Sequence, residues 1–145
     1  MPRSAAVILC LLALSACSRE DESTPVGCLA GDDEVLRALE RAPGAVALDG
    51  TPLSACLGDT TDGDALQSVG AAYLDAATAL ADRAAREPEG EAALRLGYLL
   101  GAVKRSEAGA QGVGYELGRR LRSEAARVEG SKAFARGERA GASGG

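Results

Sequence analysis

The chain has 145 residues, 46% apolar but only 3% aromatic, with 16 basic and 21 acidic side chains and no histidine. Net acidity argues against general nucleic-acid binding, which needs a basic footprint. The lack of histidine removes the commonest general base and metal ligand, and the length suits one domain with a modest, alanine-rich core.

The first predicted element is a targeting segment. Arg3 precedes Ala5 to Ala13, an almost unbroken apolar stretch. It is about half the roughly 20 residues that a membrane-spanning helix needs. A positive start, a short apolar middle and small residues at the end follow signal-peptide grammar, so residues 1–16 are predicted to lie outside the fold. Leu14-Ser15-Ala16-Cys17 resembles the lipobox of bacterial lipoproteins, in which a branched apolar residue and two small residues precede a cysteine. The resemblance implies that the Cys17 thiol carries a diacylglycerol and that cleavage falls before Cys17. It also implies that the freed amino group takes a further acyl chain such as palmitate. Two or more chains give stable anchoring. The partner so implied is the membrane itself, at the extracytoplasmic face of the cell membrane or outer membrane. Ser18 stands where Asp favours inner-membrane retention in Gram-negative lipoproteins, and so leans towards the outer membrane. The same small residues also suit an ordinary secretory cleavage site.

With Cys10 in the signal and Cys17 acylated, Cys28 and Cys56 remain. Export places them in an oxidising compartment, where one pairing is available. Closing that loop would contribute about 3.5 kcal/mol on the chain-entropy view. The alternative is two separately buried thiols. Two thiolates without histidine do not make a zinc site, so neither metal nor cofactor is predicted.

Residues 17–27 read as a polar tether, and 28–140 as the helical domain. Asp32 to Ala42 is a short helix with Val35, Leu36 and Leu39 on one stripe, stopped by Pro43-Gly44. Val46 to Leu57 loses that period. A two-stranded element is conceivable there, but Pro52 favours an irregular loop pinned by Cys56. Thr61 and Asp64 have capping-box spacing. Leu66, Val69, Tyr73, Ala76, Leu80 and Ala84 then recur at three and four, one stripe over about six turns. After the break Glu87-Pro88-Glu89-Gly90, a second long helix covers Glu91 to about Glu107. It is apolar almost all round from Leu94 to Val103, which predicts the most buried helix. Gly109 to Gly112 is a connector. Gly114 to Glu129 is the third long helix, with Leu117, Leu121 and Val128 inward. A last turn uses Phe134 as a plug, and residues 141–145 are expected to be a disordered tail. The fold class is therefore mainly α. It is a small antiparallel bundle of three to four helices, with an irregular, disulfide-clipped N-terminal segment.

Three motifs compete for a function. Gly141-Ala142-Ser143-Gly144-Gly145 has the letters of a nucleophile elbow but lacks the strand before it and the helix after it. Gly97 and Gly101 have GxxxG spacing, which favours close packing on a neighbouring helix, with self-association through that face as the alternative. Charge is unevenly divided. Cys17 to Leu94 carries five arginines and sixteen acids, and Arg95 onward carries ten basic and five acidic residues. The basic helix is expected to lie near the acidic half. Alternatively Arg119, Arg120, Arg122 and Arg127 form a strip that contacts an anionic surface or an acidic envelope protein. No group of side chains gathers for catalysis. The predicted role is a non-enzymatic, lipid-anchored envelope protein that binds a partner or supports an assembly. The alternative is a small ligand-binding or enzymatic lipoprotein with a site between helices.

Overall fold

The computed structural model of the chain describes residues 24–107 and 113–145. The signal segment, Cys17, the tether up to Ser23 and the connector 109–112 lie outside the described residues. The protein is mainly helical, with one two-stranded sheet near its N-terminal end.

A 3-10 turn, Val26–Leu29, opens the described fold. Val26 and Gly27, expected in the tether, therefore already belong to the folded part. Helix α1, Asp32–Leu39, carries three acidic residues in its first turn, where they face the positive end of the helix dipole. It buries Val35, Ala38 and Leu39. The segment expected as an irregular loop contains a minimal hairpin instead. Strand β1, Ala47–Leu48, pairs antiparallel with β2, Thr51–Pro52, in the register Ala47 with Pro52 and Leu48 with Thr51. Asp49 and Gly50 take φ of 47° and 84°, the positive values that a tight two-residue hairpin turn demands. Pro52 is tolerated because it sits at the outer end of the ladder, beside no further strand.

Helix α2, Leu53–Gly58, follows at once and buries Leu53, Cys56 and Leu57. Cys56 is joined to Cys28 of the opening turn, with 5.4 Å between their Cα atoms. The predicted clip is thus present, and it encloses α1, the hairpin and most of α2.

Helix α3, Gly63–Ala84, realises the long stripe: Val69, Tyr73, Ala76, Leu80 and Ala84 are buried. Its cap is Asp62 rather than Thr61. The Asp62 carboxylate accepts from the Ala65 N–H at 2.7 Å, satisfying one of the free donors of the first turn. Helix α4, Glu91–Glu107, is the central element, and every residue from Leu96 to Val103 is buried. Helix α5, Val113–Ala125, ends four residues earlier than its periodicity predicts. Leu117, Leu121, Ala125 and Val128 still face the core.

The largest departure is α6, Lys132–Gly144. Residues 141–144, expected as disordered, are the last turn of this helix, and the Ser54 hydroxyl donates to the Gly145 carbonyl beyond it. The α4–α6 contact is the most extensive between any two described elements. Side chains added at Gly97 and Gly101 of α4 would run into the Phe134 and Glu138 carbonyls. Side chains at Gly137 and Gly141 of α6 would run into the Leu94 and Tyr98 carbonyls. The GxxxG of α4 therefore meets a second GxxxG, Gly137 to Gly141, and the two backbones lie against each other. The contacts advance together along both chains, so the helices are parallel, and α5 is the return limb between them.

Local polar groups fix this arrangement. The Glu89 carboxylate, from the turn before α4, accepts from the Lys132 and Ala133 N–H groups, each at 3.1 Å. The Ser131 hydroxyl accepts from the Phe134 N–H at 3.0 Å. Together they satisfy three donors at the start of α6. Two buried tyrosines tie the clipped segment to the bundle. Tyr73 of α3 donates to the Leu53 carbonyl at 2.8 Å, and burial pushes its phenol pKa up. The Tyr98 hydroxyl of α4 accepts from the Val46 N–H at 3.2 Å.

Candidate functional site

The predicted cationic strip sits on α5 and the turn after it. Arg119 and Arg120 are three and four residues beyond Glu116, the spacing at which helix side chains meet. Arg119 donates two hydrogen bonds to the Glu116 carboxylate, at 2.9 and 2.8 Å, and Arg120 donates one at 2.9 Å. Arg122 lies 3.9 Å from Glu107 at the end of α4. Room for the Glu107 carboxylate exists because Gly118 has no side chain; a Cβ there would collide with its Oε1. That oxygen has no hydrogen-bond partner among the described residues. Arg127 is exposed and joins none of the described ion pairs. The structure thus brings Arg119 and Arg120 together around one carboxylate, ties Arg122 loosely to another, and leaves Arg127 apart.

The basic helix lies against the acidic half as expected, but ion pairs scarcely lace the two together among the described residues. Helix α5 does pack on α3. Yet the ion pairs of the basic half are internal to it: Lys104 with Glu138, Arg119 and Arg120 with Glu116, and Arg122 with Glu107. The pair Glu91 and Arg95 crosses the division only as neighbours on α4, at 3.5 Å. For Arg119 and Arg120 the partner is fixed by three- and four-residue spacing on one helix, whereas Lys104–Glu138 and Arg122–Glu107 join helices brought together by packing.

The two arginines hold the Glu116 carboxyl well down, to about 2, chiefly through the hydrogen bonds from Arg119 and then Arg120. A lowered folded-state value means that this local support is complete above the ordinary glutamate range, near 4.3, and is lost as pH falls towards 2. An NMR titration of the Glu116 side chain is expected to show its midpoint near 2. Replacing both arginines by glutamine should return it to the ordinary range; a midpoint that stays low would remove them as the cause.

Open clefts mark the surface of the described residues. One of about 540 Å³ lies beside the 3-10 turn and is lined by Glu34, Arg37, Arg41 and Asp49. One of about 400 Å³ lies between α1, α3 and α4, with Leu36 and Leu80 as apolar wall and Asp33, Glu40, Arg83 and Arg95 around it. The Arg95 Nε there is buried without a hydrogen-bond partner among the described residues. The third, about 300 Å³, is a mostly apolar groove between α3 and α5, formed by Leu66, Gly70, Leu74 and Leu117 with Glu116 and Arg120 at its rim. Among the described residues, no three metal-ligating side chains come together. No described helix is long and apolar enough to cross a membrane.

Sequence reasoning missed the pairing around Glu116, although the Glu-x-x-Arg-Arg spacing carries it. It also missed the exposed pair Val26 and Leu29, which straddles the boundary between the segment read as tether and the helical domain. No protein-family model matches the chain, and no curated protein or solved structure shows significant similarity to it.

Proposed function

We propose that the chain is a lipid-anchored bacterial envelope protein, held by acylated Cys17 at the extracytoplasmic face of a membrane, whose helical domain binds a partner rather than catalysing a reaction. The observation that carries this reading is Leu14-Ser15-Ala16-Cys17 closing a short apolar run that begins just after Arg3. The Cys28–Cys56 disulfide supports it, since such bonds persist in exported proteins and are rare in the cytosol. The domain's clefts are open, and most charged groups on α5 are occupied by neighbours on the same or the adjoining helix. Arg127 and the outer faces of Arg119 and Arg120 remain to meet an anionic surface or an acidic envelope protein.

A second reading has one observation in its favour. Arg95, whose buried Nε has no hydrogen-bond partner among the described residues, lines the cleft between α1, α3 and α4, where a small carboxylate-bearing ligand would meet its guanidinium. Arg95→Gln should leave partner capture intact under the first reading and abolish ligand uptake under the second.

The anchor is tested directly. Intact mass of the mature protein should show acyl chains on a polypeptide starting at Cys17. Cys17→Ser should move the protein from the detergent phase to the aqueous phase, and unchanged partitioning would sink the anchor.

A further inference from the structure

Val26, Leu29 and Tyr115 are the large apolar side chains left exposed among the described residues. The first two share the 3-10 turn Val26–Leu29. A 3-10 helix has three residues per turn, so positions three apart eclipse and project from one side. Between them Cys28 points inward, 1% exposed and tied to Cys56. Gly27 lies close against the hairpin, where any side chain would meet Asp49 and the Leu48 carbonyl. The turn is thus clamped from behind at two adjacent residues. Its apolar pair is held outward, Val26 84% and Leu29 46% exposed.

We propose that Val26 and Leu29 form an apolar foot that seats the domain on the surface of the bilayer holding Cys17. This rests on the lipid-anchor reading above. Val26 follows Cys17 by only nine positions, a span of about 30 Å at full extension. The turn is therefore the first described element that the anchor brings to the membrane. A short tether makes the second contact intramolecular, so two side chains too few to recruit a free protein suffice to orient a tethered one. Charge selects the surface. Glu20, Asp21 and Glu22 precede the foot and Asp32, Asp33 and Glu34 follow it, outnumbering Arg19, Arg37 and Arg41 at the same end. Anionic headgroups would repel this end of the domain, so the foot sits on a zwitterionic one and is held by apolar contact.

The chain contains no tryptophan, so Val26→Trp gives a single fluorescent reporter. The acylated variant is reconstituted in phosphatidylcholine vesicles, with and without brominated acyl chains. The expected result is co-flotation, emission blue-shifted relative to the same variant carrying Cys17→Ser in buffer, and quenching by bromine. Adding Leu29→Asp should remove the quenching while flotation persists. Replacing part of the lipid by phosphatidylglycerol should weaken the quenching at low salt, and high salt should restore it. Unshifted, unquenched emission from floating protein overturns the foot and leaves the anchor standing. Quenching indifferent to Leu29→Asp, or stronger on anionic vesicles, also overturns it. Failure to float overturns the anchor, and the foot with it.

Discussion

Gly101→Ala and Gly137→Ala are each expected to destabilise the domain by about 3 kcal/mol, near the top of the range for overpacking a tight core. Helix propensity alone argues the other way, since alanine in a helix interior is favoured over glycine by about 1 kcal/mol. At these positions packing wins. The new methyl group would occupy space already held by the Glu138 carbonyl in one case and the Leu94 carbonyl in the other. Neither is the end of a flexible side chain; both are helix backbone. Relief requires α4 and α6 to separate, which loosens the burial of Phe134, Tyr98 and Leu94 together. Both substitutions force the same separation, so the double variant should cost less than the sum. Gly70 on α3 supplies the control. A Cβ there has nothing within 4 Å, and Gly70→Ala should stabilise by about 1 kcal/mol. Urea midpoints read the contrast. Equal shifts of one sign at all three glycines would remove the close-packing account.

Reducing the Cys28–Cys56 bond is expected to cost about 3.5 kcal/mol, and the loss should be local before it is global. The cysteines are 28 positions apart. Within that loop lie α1 and a hairpin of two residues per strand, too small to stand alone. The long helices α3 to α6 lie outside it. Hydrogen exchange on the reduced protein should therefore quicken first between Val26 and Gly58, while the amides of α4 keep their protection. Tyr73 and Tyr98 would still reach towards Leu53 and Val46, so the segment should loosen rather than detach. Equal loss of protection in α4, or an unchanged urea midpoint, would refute this ordering.

Helices whose burial is apolar and periodic were legible from residue spacing. The Val69, Tyr73, Ala76, Leu80 and Ala84 stripe and the all-round apolar stretch of α4 both appear where periodicity places them. The disulfide followed from counting cysteines after the signal was set aside. What escaped was built from residues whose usual meaning is the opposite. Gly141 and Gly144 read as a flexible end because glycine disfavours helix. In the fold, the missing side chain at Gly137 and Gly141 is what lets α6 lie on α4. Pro52 read against a strand, yet a ladder of two pairs has an outer end where a missing N–H does no harm. Val26 and Gly27 read as tether because their neighbours are polar, and only the fold reveals how the hairpin pins the turn. For the cationic strip, composition showed an excess of arginine, but the partners of Arg119 and Arg120 were set by three- and four-residue offsets from Glu116, and that of Arg122 by the packing of α5 on α4.

The parallel seat of α6 on α4 has a consequence for how the chain reaches its folded form. Helix α4 is the hub of the bundle, and among the described residues the face holding Gly97 and Gly101 is closed by α6, residues 132–144. Until that stretch has been synthesised, the hub has no lid, and its most intimate contact spans the return limb α5. Contacts between distant parts of a chain form late, because the intervening loop must first be closed. A chain threaded outward as proposed must stay unfolded while it crosses. Because the locking helix follows the other described helices in the chain, the domain would stay open until all of them had passed and would close on the far side.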